Sequence, residues 1–149
     1  MTRAAIALFS ALLVAGGARA DLSAARSERN LEKRSALALD NARDALKAAR
    51  TAYMEHGDLK ATSEALQEIV ESIQFSYDSL LATGKDPSRK PKHFKRAEIR
   101  TRELMRHLDD FRAQMSALDR AEIERTRDAI QKIHDALLEG IMGGGRKKK

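Results

Sequence analysis

Apolar residues recur at alternating steps of three and four over residues 94–118, and this spacing limits what the chain can fold into. Steps of three and four place side chains on one face of an α-helix, whereas a strand needs steps of two. The stripe consists of Phe94, Ala97, Thr101, Leu104, Leu108, Phe111, Met115 and Leu118. It predicts a helix over about 91–115. Because so narrow a stripe buries little surface alone, the helix needs other helices to pack against.

Three further segments carry the same alternation and predict helices over about 31–55, 59–82 and 120–139. Asn30 and Asp58 precede two of them, and each side chain can accept a hydrogen bond from a free N–H of the first turn. Gly57 and Gly84 follow the first and second helices, where a left-handed residue ends a helix. The residues predicted to face inward are Leu39, Ala42, Leu46, Ala49, Tyr53, Leu66, Val70, Ile73, Tyr77, Leu80, Ile123, Thr126, Ile130, Ile133 and Leu137.

The third and fourth helices are predicted to be separate, because the apolar stripe breaks phase between Leu118 and Ile123. A continuous helix would place mostly charged residues in the seam. Asp119 and Glu122 have the spacing of a capping box, and Leu118 and Ile123 occupy the two positions of a hydrophobic staple. The sequence therefore predicts a turn here, and a similar phase break over residues 56–58 predicts another.

These four helices predict an all-α fold: an antiparallel up-down-up-down four-helix bundle made of two long helical hairpins. Two hairpins that dimerise are the alternative arrangement. The chain has no cysteine, which excludes disulfides, cysteine-ligated zinc and thiol catalysis. Packing must hold it together, and the 42% of hydrophobic residues supplies enough material for one core. The predicted organisation is a leader over 1–20, a flexible stretch over 21–29, the bundle over 30–142 and a basic Gly/Lys tail over 143–149.

Residues 1–20 have the three-part pattern of a secretory signal peptide. Arg3 precedes an apolar run over 4–14, and residues 18–20 read Ala-Arg-Ala, a cleavage site before Asp21. The apolar run is shorter than the roughly 20 residues that span a bilayer, although an uncleaved anchor is the alternative. The sequence thus predicts an exported protein, periplasmic or secreted, with no transmembrane segment in the mature chain.

Positive charge concentrates around the connection between the second and third predicted helices. Residues 84–106 contain nine Lys or Arg against three acidic residues, a net charge of +6. In an up-down bundle the ends of the second and fourth helices meet the starts of the first and third, which forms one basic end. Cations oppose the dipole at the start of a helix, so they do not stabilise the third helix. The candidate anion- or partner-binding residues are Lys85, Arg89, Lys90, Lys92, Lys95, Arg96 and Arg100.

Catalytic and metal-binding motifs are sparse. Glu103, His107 and Asp110 share one helical stripe with a spacing that can hold a divalent metal, but they flank the seam, where a solvated stripe of ion pairs is typical. His134 also flanks a seam, and the same interpretation applies to it. The glycines at 143–145 lack the preceding strand and following helix of a phosphate-binding loop. The sequence therefore predicts no enzyme, no metal and no cofactor.

Residues 53–58, with Ala61 and Ala65 after them, resemble the turn of a tetratricopeptide repeat, in which Gly-Asp joins two helices and small residues let them cross closely. As a whole, the chain is similar to small uncharacterised exported helical proteins of bacteria. Residues 84–98, Gly-Lys-Asp-Pro-Ser-Arg-Lys-Pro-Lys-His-Phe-Lys-Arg-Ala-Glu, carry that resemblance most distinctly. It implies an exported helical protein and no particular activity.

These features predict an exported, non-enzymatic helical binding or structural module whose basic end meets an acidic protein or an anionic component of the cell envelope. A homodimer is a further candidate assembly. A solvated helix face is the simpler reading of the basic residues, because the negative ends of neighbouring helices also attract cations. The alternative function is a periplasmic stress or chaperone-type helical bundle, and a response to metal is one form of this alternative. Its mark would be an exposed apolar concavity, for which Phe75, Ile99 and Met105 are candidates.

Overall fold

The computed structural model describes residues 20–143, which form five α-helices and one 3-10 turn with no β-strand among them. The helices are α1 (Ser23–Ser27), α2 (Leu31–His56), α3 (Leu59–Leu81), α4 (Lys92–Gln114) and α5 (Arg120–Met142), with the 3-10 turn over Ala117–Asp119. The predicted all-α fold is confirmed, and the four long helices begin and end within three residues of their predicted bounds. The predicted leader and basic tail lie outside the described residues, except for Ala20 and Gly143.

The predicted helix ends around the first hairpin turn are confirmed. Gly57 adopts a left-handed conformation with a φ of 59°. Asp58 then caps α3 by accepting a hydrogen bond from the Ala61 N–H at 2.9 Å, and Asn30 caps α2 by accepting one from the Lys33 N–H at 2.9 Å. Because residues with a Cβ rarely adopt a positive φ, the glycine fixes the position of this turn.

The two hairpins, α2–α3 and α4–α5, pack on each other within one chain and form the predicted bundle. α2 lies beside α4 and α3 lies beside α5, while the consecutive helices α3 and α4 touch only slightly. α2 and α4 run parallel, because their contacts advance together along both helices: Glu32 with His93 at 3.2 Å, Asp40 with Arg100, and Arg50 with Gln114 at 3.1 Å. The connection over residues 82–91 therefore crosses the end of the bundle diagonally.

α2 contributes mainly alanine to the core, which lets α3 approach closely. The interface of these two helices also contains small buried polar groups. The hydroxyls of Ser35 and Ser76 lie 2.7 Å apart, and the Asn41 amide donates to the Ser72 hydroxyl at 2.9 Å. The large buried side chains come mostly from the other helices: Leu66, Ile69, Ile73, Leu80, Phe94, Leu108, Phe111, Ile123, Ile130 and Leu137.

The junction between α4 and α5 is a turn as predicted, but its predicted capping is wrong. Leu118 is 93% exposed, so it forms no hydrophobic staple with the buried Ile123. The Asp119 side chain does not cap α5 and instead accepts a hydrogen bond from the Tyr53 hydroxyl at 2.9 Å. The same Tyr53 oxygen accepts a hydrogen bond from the Ser116 N–H at 2.9 Å. The hydrogen bonds of Tyr53 on α2 thus hold this turn, and they engage the Asp119 carboxylate that was predicted to cap α5.

Residues 21–29 were expected to be flexible, but they contain α1. Leu22 and Ala25 are buried against Ala38, with Phe75 packed beside them. The outer face of the α2–α3 hairpin exposes apolar surface at these positions, and covering it is favourable. Among the described helices, none combines the length and apolar character needed to cross a membrane.

Candidate functional site at the basic end of the bundle

One end of the bundle gathers the starts of α2 and α4 and the ends of α3 and α5, as the sequence predicts. Glu32 in the first turn of α2 contacts both Lys85, which follows α3, and His93 of α4. Gly140 of α5 lies against Pro87, since a methyl group placed on this glycine would be 3.3 Å from the proline ring. The segment over 82–91 is therefore packed across this end, and the predicted basic residues lie on a fixed frame.

Three of the seven predicted residues are held in ion pairs within the bundle. Lys85 pairs with Glu32 across helices, Arg89 lies 3.7 Å from Asp86, and Arg100 pairs with Asp40. Arg100 also donates to the Ala36 carbonyl at 3.4 Å. The contacts of Lys85 and Arg100 tie the connection and α4 to α2, whereas the Arg89–Asp86 pair is local to the connection. Their first role is structural, because the charges already have local partners.

The other four predicted residues are Lys90, Lys92, Lys95 and Arg96, here called the free basic cluster. All four side chains are exposed, and none forms an ion pair with any residue of the described range. The cluster spans the start of α4, whose N-cap residue Pro91 makes no side-chain hydrogen bond to the helix. The N–H groups of the first turn of α4 therefore lie near these exposed cations, and both favour negative charge at this end of the bundle.

The acidic side chains of this end are already engaged. The hydrogen bond from Lys85 lowers the pKa of Glu32, and the positive charges of His93 and Lys92 lower it further, against a smaller opposing effect of burial. Hydrogen bonds from the Ser88 hydroxyl and N–H lower the pKa of Asp86. Both carboxylates stay ionised and bound to these neighbours near neutral pH, so neither neutralises the free basic cluster through an ion pair.

A buried polar pair between α4 and α5 was missed by the sequence analysis. His134 is only 7% exposed, and its Nε2 lies 2.9 Å from Oε1 of the buried Glu98, so the prediction of a solvated position for His134 is wrong. Glu98 also lies 3.5 Å from Arg102. Glu98 and Met105 each follow a stripe residue, Ala97 and Leu104, by one position, and this signal could have shown that α4 is buried over a wider face.

The residues suggested for a metal site or an apolar concavity are dispersed. His107 and Asp110 are exposed and 4.0 Å apart, and no group of three potential ligands converges within residues 20–143. Met105 is buried in the core, so its predicted place in an exposed apolar concavity is wrong. Phe75 packs beside α1, while Ile99 is 43% exposed on α4.

Comparisons with known proteins do not add an activity to this geometry. The predicted resemblances to tetratricopeptide turns and to exported helical proteins of bacteria stay predictions. No protein family, curated protein or solved structure matches the chain.

Proposed function

We propose that the chain is an exported, non-enzymatic helical binding or structural module that uses the basic end of the bundle to bind an anionic surface of the cell envelope. The observation that carries this proposal is the free basic cluster, in which four exposed cations within seven residues have no ion pair in the described structure. Neighbouring cations of the same end do have such pairs.

The free basic cluster attracts anions over a distance, and this attraction depends strongly on the salt concentration. Charges on one end of a protein attract opposite charge during diffusion, and salt screens the attraction within about 8 Å at physiological ionic strength. Each Lys or Arg near an anionic membrane contributes about 1 kcal/mol of attraction. Four unpaired cations therefore supply enough energy for reversible binding, and no internal ion pair has to break first.

Changing Lys90, Lys92, Lys95 and Arg96 together to Gln tests this proposal. We expect the dissociation constant for anionic phospholipid vesicles to rise at least about tenfold in low salt, because about 4 kcal/mol of attraction is removed at most. Binding to neutral vesicles should be weak for both proteins. Vesicle co-sedimentation over a salt series measures both quantities, and circular dichroism checks that the helices are retained.

The matched control removes the same number of charges elsewhere. Lys47, Lys60, Arg106 and Lys132 are exposed, have no ion pair in the described range and lie outside the free basic cluster. Changing these four to Gln lowers the net charge equally, and we expect less than about a threefold loss of binding. Equal losses in both variants, or no loss in the first, would show that the cluster is an ordinary solvated helix face.

The export part of the proposal predicts the mass of the mature protein. Because residues 18–20 fit the small pockets of a signal peptidase, we expect a product that begins at Asp21 when the gene is expressed in a bacterium. Intact-mass spectrometry of the periplasmic and membrane fractions measures this. Full-length protein retained in the membrane fraction would contradict export of a processed chain.

A further inference from the structure

The outer face of the α2–α3 hairpin already accepts an added segment of chain. α1 lies there, with Leu22 and Ala25 buried. The chain runs along this face from Ser27 back to Ala20, because Leu22 lies near Glu68 on α3 and Ala20 reaches the surface beside Ala45. Ala20, the first described residue, thus lies at the part of the hairpin that is nearer the Gly57 turn.

A groove of about 630 Å³ continues from Ala20 toward that turn. Its apolar lining, here called the alanine groove, consists of Ala45, Ala48, Ala52, Ala61 and Ala65. Ala45 and Ala52 are buried, whereas Ala48, Ala61 and Ala65 are half-buried and stay accessible to a docked segment. Ala20 and Ala65 pack against the edge of the main core, which makes the groove continuous with it. The structure therefore contains an apolar depression with one occupied end and one open end.

We propose that the apolar leader segment over residues 4–14 docks in the alanine groove before the leader is removed. The first argument is reach. From Ala45 to His56 the groove follows twelve residues of α2, which span about 16 Å. Residues 15–19 span at most about 17 Å when extended, so the apolar run begins within reach of the groove. Docking removes the apolar run from water, which is favourable.

Charge is the second argument for this occupant. The rim of the groove is acidic even without Glu64, because Asp44, Asp58 and Glu68 line it against one lysine, Lys47, although Asp58 and Glu68 also accept hydrogen bonds within the hairpin. The only charged side chains of the leader are Arg3 and Arg19, one on each side of the apolar run. Arg19 directly precedes Ala20 in the sequence, and Ala20 lines the groove. A leader with two cations around an apolar centre is complementary to an apolar lining with an acidic rim.

Thiol accessibility tests this docking, since the chain has no cysteine of its own. Full-length Ala48→Cys places one thiol in the alanine groove, and full-length Ile99→Cys places a control thiol on the exposed face of α4. Each is prepared by membrane-free synthesis with the natural leader and with Leu8→Asp plus Leu12→Asp in the leader. We expect iodoacetamide to modify the Ala48→Cys thiol at least about tenfold more slowly with the natural leader than with the aspartate leader.

The control and a dilution series separate the other occupants. The Ile99→Cys thiol should react equally fast in both backgrounds, and protection in the groove should not depend on protein concentration. Equal rates at Ala48→Cys with the two leaders would overturn the proposal. Protection that disappears on dilution would also overturn it, because the occupant would then be a second copy of the chain.

Discussion

Leu108→Asp is expected to unfold the bundle, whereas Ile99→Asp in the same helix is expected to leave it folded. Leu108 is completely buried between the two hairpins, and Ile99 is 43% exposed. An aspartate at 108 would lose the packing of leucine, about 2–5 kcal/mol, and would place a carboxylate without a partner in the core. The sum approaches the total stability of a small domain, about 5–15 kcal/mol.

Far-UV circular dichroism and urea unfolding measure the difference between these variants. Ile99→Asp should lower the free energy of unfolding by no more than about 1 kcal/mol, since an exposed helical position tolerates polar residues. Leu108→Met is the matched control at the buried position, because it nearly conserves volume and should cost less than about 1.5 kcal/mol. Similar losses for the two aspartate variants would mean that α4 presents a different face to the core.

The stripes of α2 to α5 could be predicted because each depends on local spacing alone. Leu108 and Ile130 lie inside for the same reason that their neighbours three and four residues away do. Gly57 and Asp58 are also local signals, and both act as predicted. The diagonal connection between α3 and α4 has no such local signal. An apolar stripe shows that a helix packs against other helices, but it does not identify which helices these are.

The site was predictable as a charge pattern but not as a set of contacts. Lys85 pairs with Glu32, which lies 53 positions earlier in the chain, and Arg100 pairs with Asp40. In the sequence, Lys85 and Arg100 cannot be distinguished from Lys90 and Lys95. In the structure, Lys85 and Arg100 form ion pairs, whereas Lys90 and Lys95 have none among the described residues. The packing of α4 beside α2 decides the difference. The predicted capping role of Asp119 is wrong for a similar reason, because its carboxylate accepts a hydrogen bond from Tyr53, which lies on another helix.

Breaking the buried pair between Glu98 and His134 is expected to destabilise the bundle more than removing both members. Both side chains are about nine-tenths buried and 2.9 Å apart, and α4 and α5 supply one each. His134→Leu leaves the Glu98 carboxylate with only the largely exposed Arg102 as a partner at 3.5 Å. Leaving such a group without its buried partner costs about 3–5 kcal/mol. Replacing both residues by leucine removes the unpaired group and fills a similar volume.

A double-mutant cycle with urea unfolding therefore measures how much of this interface depends on the pair. We expect Glu98→Leu and His134→Leu each to lower the free energy of unfolding by about 3 kcal/mol, and the double variant to lie within about 1 kcal/mol of the parent. Arg112 and Glu124 provide the matched control, because they also join α4 to α5, at 3.3 Å, but are about half exposed. Their coupling should stay below about 1 kcal/mol. If the losses at Glu98 and His134 simply add, each side chain stabilises the helices by packing alone, and the contact between them contributes nothing specific.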